Sequence, residues 1–336
     1  MNAKLSDLKT IETAVTKLMG CQYPIIAGPM FLISDPNLVV AVSEAGGIGA
    51  MPSLNWRTAE EFRKAIREVK AKTKKPFAIN LIVNQANPRL KTDLDICVEE
   101  KVPLVITSLG NPKETIAQMH AIGSKVFCDV TNLAYAKKVE SLGADAVIAV
   151  SSGAGGHAGP TSALVLIPYL KRNLSIPIIA AGGVSIGAQI AALRLLGAEG
   201  VQVGTRFIAC TEAKVDEAYK QAIIHSEPED IMLTKKISGT PVSVIKTPYT
   251  EKMGFEISKI EAYLLKNSRT KKAMKMARTY LGSLALKKSI LGPTFKEVWS
   301  AGEGVGLIQS VEPAAVIIET LVKEYLAIGN SRLHEK

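Results

Sequence analysis

The chain alternates short apolar runs with longer amphipathic stretches between Pro24 and Ile208. The runs are rich in Ile, Val and Ala, and each leads through a turn into apolar positions at helical spacing. This rhythm predicts eight strands, at Pro24–Ala27, Ile48–Met51, Phe77–Val83, Leu104–Ser108, Lys125–Val130, Ala146–Val150, Pro177–Ala181 and Gly200–Ile208. It predicts helices between them at Asn37–Ala45, Thr58–Ala71, Leu90–Glu100, Lys113–Ile122, Leu133–Leu142, Ser162–Lys171 and Ile186–Leu196.

Eight strands with helices between them predict an α/β fold of the (β/α)8 TIM-barrel type, because right-handed crossovers leave few other arrangements of so many parallel strands. A doubly wound open sheet is the alternative. The rhythm stops at Asp216, so we expect a barrel at 1–215 and a helical, polar segment at 216–298. The remainder, 299–336, contains a glycine-rich loop, Trp299–Ile308, and an amphipathic helix, Pro313–Ala327, predicted to return to the barrel.

Composition agrees with strands that are buried on both faces. Apolar residues make up 47% of the 336 residues but aromatic residues only 5%, which indicates a core of Ile, Val, Leu and Ala. The net charge is +10 and is partly concentrated between Thr270 and Lys288. Without interleaved aromatic residues, this region is predicted to be a solvated basic helix face rather than a nucleic-acid surface. The charge favours small anionic partners only mildly.

Several classes of site are disfavoured by the residues present. The four cysteines, Cys21, Cys97, Cys128 and Cys210, are far apart and form no Cys-x-x-Cys pair, so neither a zinc cluster nor a disulfide framework is expected. They are typical of small core residues in a reduced, cytoplasmic protein. No apolar stretch reaches about 18 residues, so no membrane span is expected.

A histidine stands inside a run of glycines from Ser151 to Pro160, directly after the sixth predicted strand. Glycines allow a flat ligand to approach closely, and His157 can exchange a proton near neutral pH. The alternative is a capping turn whose histidine lies in solvent. Gly153–Ala158 also matches the dinucleotide pattern Gly-x-Gly-x-x-Gly/Ala, but no acidic residue follows before Glu199, so a Rossmann site is rejected.

The other histidines narrow the choice of catalytic base. His120 falls within a predicted helix, His225 in the polar region and His334 in the tail. No pair of histidines has the spacing of metal ligands, and no Gly-x-Ser-x-Gly elbow suggests a serine hydrolase. His157 is therefore the single candidate acid or base.

Two glycine segments, one after the seventh predicted strand and one within the eighth, stand near the loops where TIM barrels commonly bind phosphate. They contain Gly182-Gly183 and Gly204-Thr205, whose backbone N–H groups can point at an anion. No Asp or Glu occurs from Ala146 through Ala198, so this segment brings no negative side chain to a phosphate. A tight strand-to-helix turn is the alternative explanation of Gly182-Gly183.

Three further positions belong to the same predicted rim. Gly28-Pro29-Met30 ends the first strand, where a backbone turn can lie against a planar ring. Asn80 lies in the third strand, where its amide can donate to and accept from a ring edge, although a satisfied core amide is equally compatible. Weaker candidates are Ser108–Asn111 and Asp129, which alternatively caps the following helix.

Together, these residues resemble the flavin-dependent nitronate monooxygenases, formerly called 2-nitropropane dioxygenases. Their relatives include flavin enoyl-acyl-carrier-protein reductases and NAD(P)H:quinone reductases. The resemblance covers nearly the whole chain, and its motifs are specific to the superfamily rather than to one member. The motifs are PIIAGPM at Pro24–Met30, AGGIG at Ala45–Gly49, AINL at Ala78–Leu81, GADAV at Gly143–Val147, GAGGHAG at Gly153–Gly159, AAGGV at Ala180–Val184, GTRF at Gly204–Phe207 and WSAGEGVG at Trp299–Gly306.

The resemblance implies an FMN-binding barrel with an added helical domain. It implies that Gly28–Met30 lie against the isoalloxazine ring, that Asn80 contacts FMN, and that His157 is the catalytic base. It places the FMN phosphate on Gly182, Gly183, Gly204 and Thr205. The expected cofactor-binding set is completed by Asp129, Gly155, Gly156 and Ala181.

The resemblance also implies an apolar substrate wall at Phe31–Ile33. Many relatives carry Gln in the late Ala-Gly-Gln motif, where this chain has Glu303, so an amide role at that position is in doubt.

The activity expected from this resemblance is oxidation of alkyl nitronates by FMN and O2 to a carbonyl compound and nitrite. A neutral nitroalkane would first lose its α-proton to His157. The alternatives are an NAD(P)H-dependent reductase of quinones or enoyl thioesters and, from another class, a flavin-binding module without turnover. Neither a nucleic-acid nor a membrane partner is expected, and the sequence leaves the oligomeric state open.

Overall fold

The computed structural model describes residues 8–236, 241–254 and 298–331, and within them eight parallel strands close into a barrel. The barrel strands are β1 (Ile25–Ala27), β2 (Ile48–Pro52), β3 (Phe77–Ile82), β4 (Leu104–Ser108), β5 (Lys125–Val130), β6 (Ala146–Val150), β8 (Ile178–Ala181) and β9 (Gly200–Val203). A separate sheet contains β7 (Gly156–His157), β10 (Ile231–Thr234) and β11 (Val242–Ile245). The predicted TIM barrel is confirmed.

Among the described residues, one helix follows each barrel strand, one precedes the first strand and three come after the barrel. They are α1 (Ala14–Met19), α2 (Pro36–Glu44), α3 (Ala59–Lys72), α4 (Leu90–Glu99), α5 (Lys113–Ala121), α6 (Leu133–Ser141), α7 (Ala163–Lys171), α8 (Gly187–Leu195), α9 (Thr205–Ile208), α10 (Glu217–His225), α11 (Pro248–Met253) and α12 (Ala314–Ser331). α3 shows why they form: Thr58 and Glu61 make a capping box, and the buried residues Phe62, Ile66 and Val69 recur at helical spacing.

The barrel closes where β1 pairs with β9, with Ile26 opposite Gln202, while β1 pairs on its other edge with β2. Inward-facing Ile, Ala, Leu and Phe side chains fill the interior, so the barrel is a packed core and not a pore. The alternate residues of each strand face the helices and join the larger outer core. Polar chemistry is therefore confined to the two ends of the barrel.

The eighth strand is shorter than predicted. It ends at Val203, and residues Thr205–Ile208 form the short helix α9 instead of continuing the strand. The prediction failed here because a short apolar run that includes Phe207 and Ile208 fits a buried helix turn as well as a strand. As a result, Gly204 lies at a strand-to-helix junction.

The prediction that 216–298 is helical is wrong within its described part. α10 and α11 are helices, but β10 and β11 are antiparallel strands, and β11 also pairs with β7. Short strands like these pair with a distant loop, which local periodicity does not reveal. Residues 255–297, including the basic Thr270–Lys288 stretch, lie outside the described residues. The predicted boundaries of the three segments stay predictions.

The C-terminal helix packs against helices of the barrel. α12 packs against α2 and α8 through buried residues that include Ile317, Ile318 and Leu321. Just before it, the Arg206 guanidinium pairs with Glu312 at 2.5 Å and donates to the carbonyl of Ser310. The C-terminal loop is thus anchored to the residues that follow β9. Among the helices that the structure describes, none is long and apolar enough to cross a membrane.

Candidate active site

Polar side chains enter the barrel interior where three neighbouring strands reach their carboxyl ends. They are Asn80 on β3, Ser108 on β4 and Asp129 on β5. Each lies two positions after a residue of the inner core, and alternate residues of a strand share a face, so all three point inward. Three sequence candidates, Asn80, Ser108 and Asp129, are thereby brought together, with Ser108 in the middle.

The three side chains form one hydrogen-bonded group. Asn80 Nδ2 donates to Ser108 Oγ at 2.8 Å and to the Ile106 carbonyl at 3.2 Å, and Ser108 Oγ donates to Asp129 Oδ2 at 2.5 Å. Asp129 Oδ1 is buried and has no hydrogen-bond partner in the described part of the chain. Burial raises the pKa of Asp129 to about 6, which the Ser108 hydrogen bond partly opposes. Asp129 does not cap α6, because Asn132 does so.

The first strand ends in a turn that lies beside β9. The Gly28 N–H donates to the Val203 carbonyl at 2.8 Å, and a Cβ at Gly28 would come within 3.4 Å of Gln202 Cγ. The hydroxyl of Ser34 accepts from the Met30 N–H and donates to the Gly28 carbonyl, which fixes the turn around Pro29. These hydrogen bonds hold the turn in place at the carboxyl end of β1.

Gln202 is a site residue that the sequence analysis missed. Its Oε1 is buried and has no hydrogen-bond partner among the described residues. The signal was available, since Gln202 is the polar residue between Val201 and Val203, which face the outer core. Its side chain therefore points into the barrel beside Gly28.

The loop after β8 requires glycine. Gly182 and Gly183 have φ values of 117° and 72°, and a Cβ at Gly182 would lie 2.7 Å from Ser151 Oγ. Gln189 Nε2 holds the loop by donating to the Gly183 carbonyl at 2.8 Å. A Cβ at Gly183 would approach nothing closer than 4.0 Å, so this residue faces open space.

The loop after β9 follows the strand that pairs with β8. A Cβ at Gly204 would meet only Met30 Sδ, at 3.9 Å, which places Met30 beside this loop. Thr205 starts α9, and the first amides of a helix have no intrahelical acceptor. The Thr205 hydroxyl accepts from the Gly302 N–H at 3.0 Å and keeps its own hydrogen for another acceptor.

The carboxylate of Glu303 lies near the loop after β8. Glu303 belongs to the C-terminal loop and not to the segment Ala146–Ala198, which contains no Asp or Glu. The Glu303 N–H donates to the Gly153 carbonyl, and Glu303 Oε2 lies 3.2 Å from the position of a Cβ at Gly153, with Gly183 close by. The segment Ala146–Ala198 itself brings no acidic side chain to the phosphate loops, because it contains none. The C-terminal loop, folded back by its anchors, supplies one.

His157 lies in regular structure and not in a free turn. Gly156 and His157 form β7 and pair with Ser243 and Val242 of β11. The His157 side chain is accessible to solvent, yet the surrounding loops bury enough of it to lower the pKa of the imidazole below the usual value. The neutral form therefore dominates at neutral pH.

The structure also places three more predicted cofactor residues, Gly155, Gly156 and Ala181, and the predicted substrate wall. Gly156 belongs to β7, and Gly155 packs on the C-terminal loop, where a Cβ would lie 2.8 Å from Gly302 N. Ala181 lines the inner core, and its carbonyl accepts from Ser151. In Phe31–Ile33, Phe31 and Leu32 are accessible, but Ile33 is buried in the outer core, so its predicted place in a substrate wall is wrong.

The other end of the barrel has a different character. A recess of about 290 Å³ lies there, lined by residues that precede strands, including Gly20, Gln22 and Pro76. In TIM barrels this end serves stability, and the active site lies at the carboxyl ends of the strands. Within the described residues, no group of His, Cys, Asp and Glu side chains has a metal-binding arrangement.

The chain matches known proteins over most of its length. The sequence profile of the nitronate monooxygenase family matches residues 12–324. A nitronate monooxygenase of Pseudomonas aeruginosa is 31% identical over 92% of this chain and 98% of its own. A (3aS,4S,5R,7aS)-5-hydroxy-7a-methyl-1-oxo-octahydro-1H-indene-4-carboxyl-CoA dehydrogenase of Rhodococcus jostii is 34% identical over 71% of this chain and 67% of its own.

A solved structure has the same architecture. FabK from Thermotoga maritima superposes with a TM-score of 0.83 and is 35% identical, covering 97% of this chain and 100% of that one. The match extends through the barrel and the C-terminal helix, and agrees with the closed parallel barrel described above. The chain therefore belongs to the nitronate monooxygenase family of flavin-dependent oxidoreductases.

Proposed function

We propose that this protein is an FMN-dependent enzyme that oxidises alkyl nitronates with O2 to a carbonyl compound and nitrite. Family membership supports flavin chemistry, and the Pseudomonas aeruginosa relative carries the name of this activity. The observation that carries the proposal is His157, a histidine with a lowered pKa that is held on β7, in the segment that follows β6.

The residues at the mouth fit a flavin phosphate and ring. Gly183 and Gly204 face open space in the loops that follow two adjacent strands, and Thr205 has a hydroxyl hydrogen to donate, so these residues would hold the phosphate. Gly28–Met30 would lie against the ring, and Asn80 would contact its polar edge. A buried oxygen without a partner in the described chain, Gln202 Oε1, points to a polar ligand here.

Bound FMN would accept the substrate's electrons and pass them to O2. The protein's part is to orient the substrate, exclude water and move one proton. Neutral His157 accepts the proton on the carbon next to the nitro group of a nitroalkane, which leaves the nitronate. A preformed nitronate has already lost that proton, so it does not need the base. Phe31 and Leu32 would contact the alkyl chain.

The test compares neutral and ionised substrate in wild type and in His157→Gln. Purified protein should take up FMN and consume O2 with propyl-2-nitronate, releasing nitrite. The variant should lose about 100-fold or more in kcat/KM with neutral 2-nitropropane but less than about tenfold with the nitronate. His225→Gln on α10 serves as the control. Wild-type protein that binds FMN but consumes no O2 with the nitronate would overturn the proposal.

A second candidate is NAD(P)H-linked oxidoreduction of an acyl thioester. It is supported by the Rhodococcus jostii relative, whose name describes a dehydrogenase of a CoA thioester. Anaerobic NADPH or NADH would then bleach the flavin rapidly, which a dedicated nitronate oxidase does not require. Rapid bleaching together with inactivity toward nitronates would select this candidate.

A further inference from the structure

The hydrogen-bond directions among Asn80, Ser108 and Asp129 are determined by the groups at their ends. The Ile106 carbonyl only accepts, so the Asn80 atom 3.2 Å from it is the amino nitrogen Nδ2. An ionised Asp129 also only accepts, so the Ser108 hydroxyl donates to it and must accept from Asn80. Both hydrogens of Asn80 Nδ2 are thereby used within the barrel wall.

We propose that Asp129 is a positioning residue that acts through Ser108 to hold the Asn80 amide with only its carbonyl oxygen, Oδ1, left to meet a flavin. Asn80 then recognises an N–H group of the flavin and donates to none of its carbonyl oxygens. The inference rests on the FMN binding in the proposed function and not on the nitronate reaction.

The burial of Asp129 supports a specific role for this carboxylate. Its Oδ1 has no partner in the described chain, and its one side-chain hydrogen bond is to Ser108. Burying a carboxylate with so little compensation is costly, and an apolar residue would serve packing alone at lower cost. Without an acceptor at 129, the Ser108 hydroxyl can turn and donate to Asn80, which frees the amide to flip.

The test measures FMN binding to flavin-free protein in matched variants. FMN is titrated while its fluorescence quenching and visible absorption bands are recorded. Asp129→Ala and Ser108→Ala should raise the Kd for FMN about tenfold or more and shift the absorption bands. Asp129→Asn keeps an oxygen that accepts from Ser108, so it should restore the Kd to within about threefold of wild type, with wild-type bands.

Thr107→Val is the structural control. Thr107 lies on the same strand as Ser108 but is bonded to Cys128 Sγ on the outer side, so its loss should leave Kd and bands unchanged. Wild-type Kd and bands in Asp129→Ala, or equal damage by Asp129→Asn and Asp129→Ala, would overturn the positioning role while leaving the proposed function intact. Wild-type protein that binds no FMN would overturn both.

Discussion

His157 and Val242 are opposite each other in one antiparallel sheet, although one follows β6 and the other lies beyond the barrel. The sheet fixes the backbone of His157, so a segment outside the eight-stranded barrel positions the imidazole. This pairing gives the residues after the barrel a direct part in the site.

Breaking that pairing should reduce catalysis without removing the flavin. Val242→Pro takes away a backbone N–H and disfavours the strand, so His157 loses its anchor. We expect kcat/KM for a neutral nitroalkane to fall about tenfold or more, with FMN content unchanged. Leu233→Thr, at an exposed position of β10, is the control. Full activity in a folded Val242→Pro protein would show that the sheet does not position the base.

The pH dependence of the reaction should report the burial of His157. A base works in its neutral form, and burial lowers the pKa of this imidazole below its usual value of about 6.5. Activity with a neutral nitroalkane should therefore be retained near pH 6.5 and lost only at lower pH. The acidic limb should be absent with a preformed nitronate and in His157→Gln. A loss of activity at acidic pH whose midpoint lies above about pH 6.5 would contradict the role of burial.

The barrel could be predicted from sequence because each strand is a short apolar run and each helix has apolar residues at helical spacing. Gly182-Gly183 and the glycines around His157 were also recognisable, since a backbone with positive φ, or one that a neighbouring group approaches closely, favours glycine at that position. The pairing of His157 with Val242 could not be predicted, because β7 has only two residues and its partner is remote in sequence. The position of Glu303 beside Gly153 likewise depends on how the C-terminal loop folds back.

Gly182→Ala should abolish tight FMN binding. The residue has φ of 117°, and its Cβ would lie 2.7 Å from Ser151 Oγ, so the loop after β8 must shift. Gly123→Ala is a matched control, with φ of 79° but nothing within 4 Å of its Cβ. The control should cost about 1 kcal/mol of stability and leave the Kd for FMN unchanged. Equal loss of FMN binding in both variants would mean that general destabilisation explains the effect.

Glu303→Gln should tighten FMN binding at low ionic strength. The Glu303 carboxylate lies near Gly153 and Gly183, close to the loop proposed to hold the phosphate, and like charges there repel. We expect the Kd to fall about threefold or more in low salt and the difference to shrink as salt screens the charges. Weaker binding in the variant would indicate instead that the carboxylate accepts a hydrogen bond from the cofactor.

The free energy of unfolding should depend on pH because the charge of Asp129 is buried. Burial raises its pKa from 3.8 to about 6 in the folded state, so the folded protein binds a proton more readily than the unfolded chain. The resulting penalty is full above that folded pKa and is relieved as pH falls from about 6 toward about 4. The nearby Cys128 and Tyr135 have pKa values raised to about 12, so they do not titrate in this window.

Asp129→Asn should accordingly raise the free energy of unfolding at about pH 7.5 by as much as about 3 kcal/mol, and much less at about pH 4.5. Urea unfolding of flavin-free protein at both pH values measures this difference. Asp95→Asn, which removes a surface ion pair with Lys91, should change stability by less than about 1 kcal/mol at either pH. A gain from Asp129→Asn that is the same at both pH values would show that the charge is not the cause.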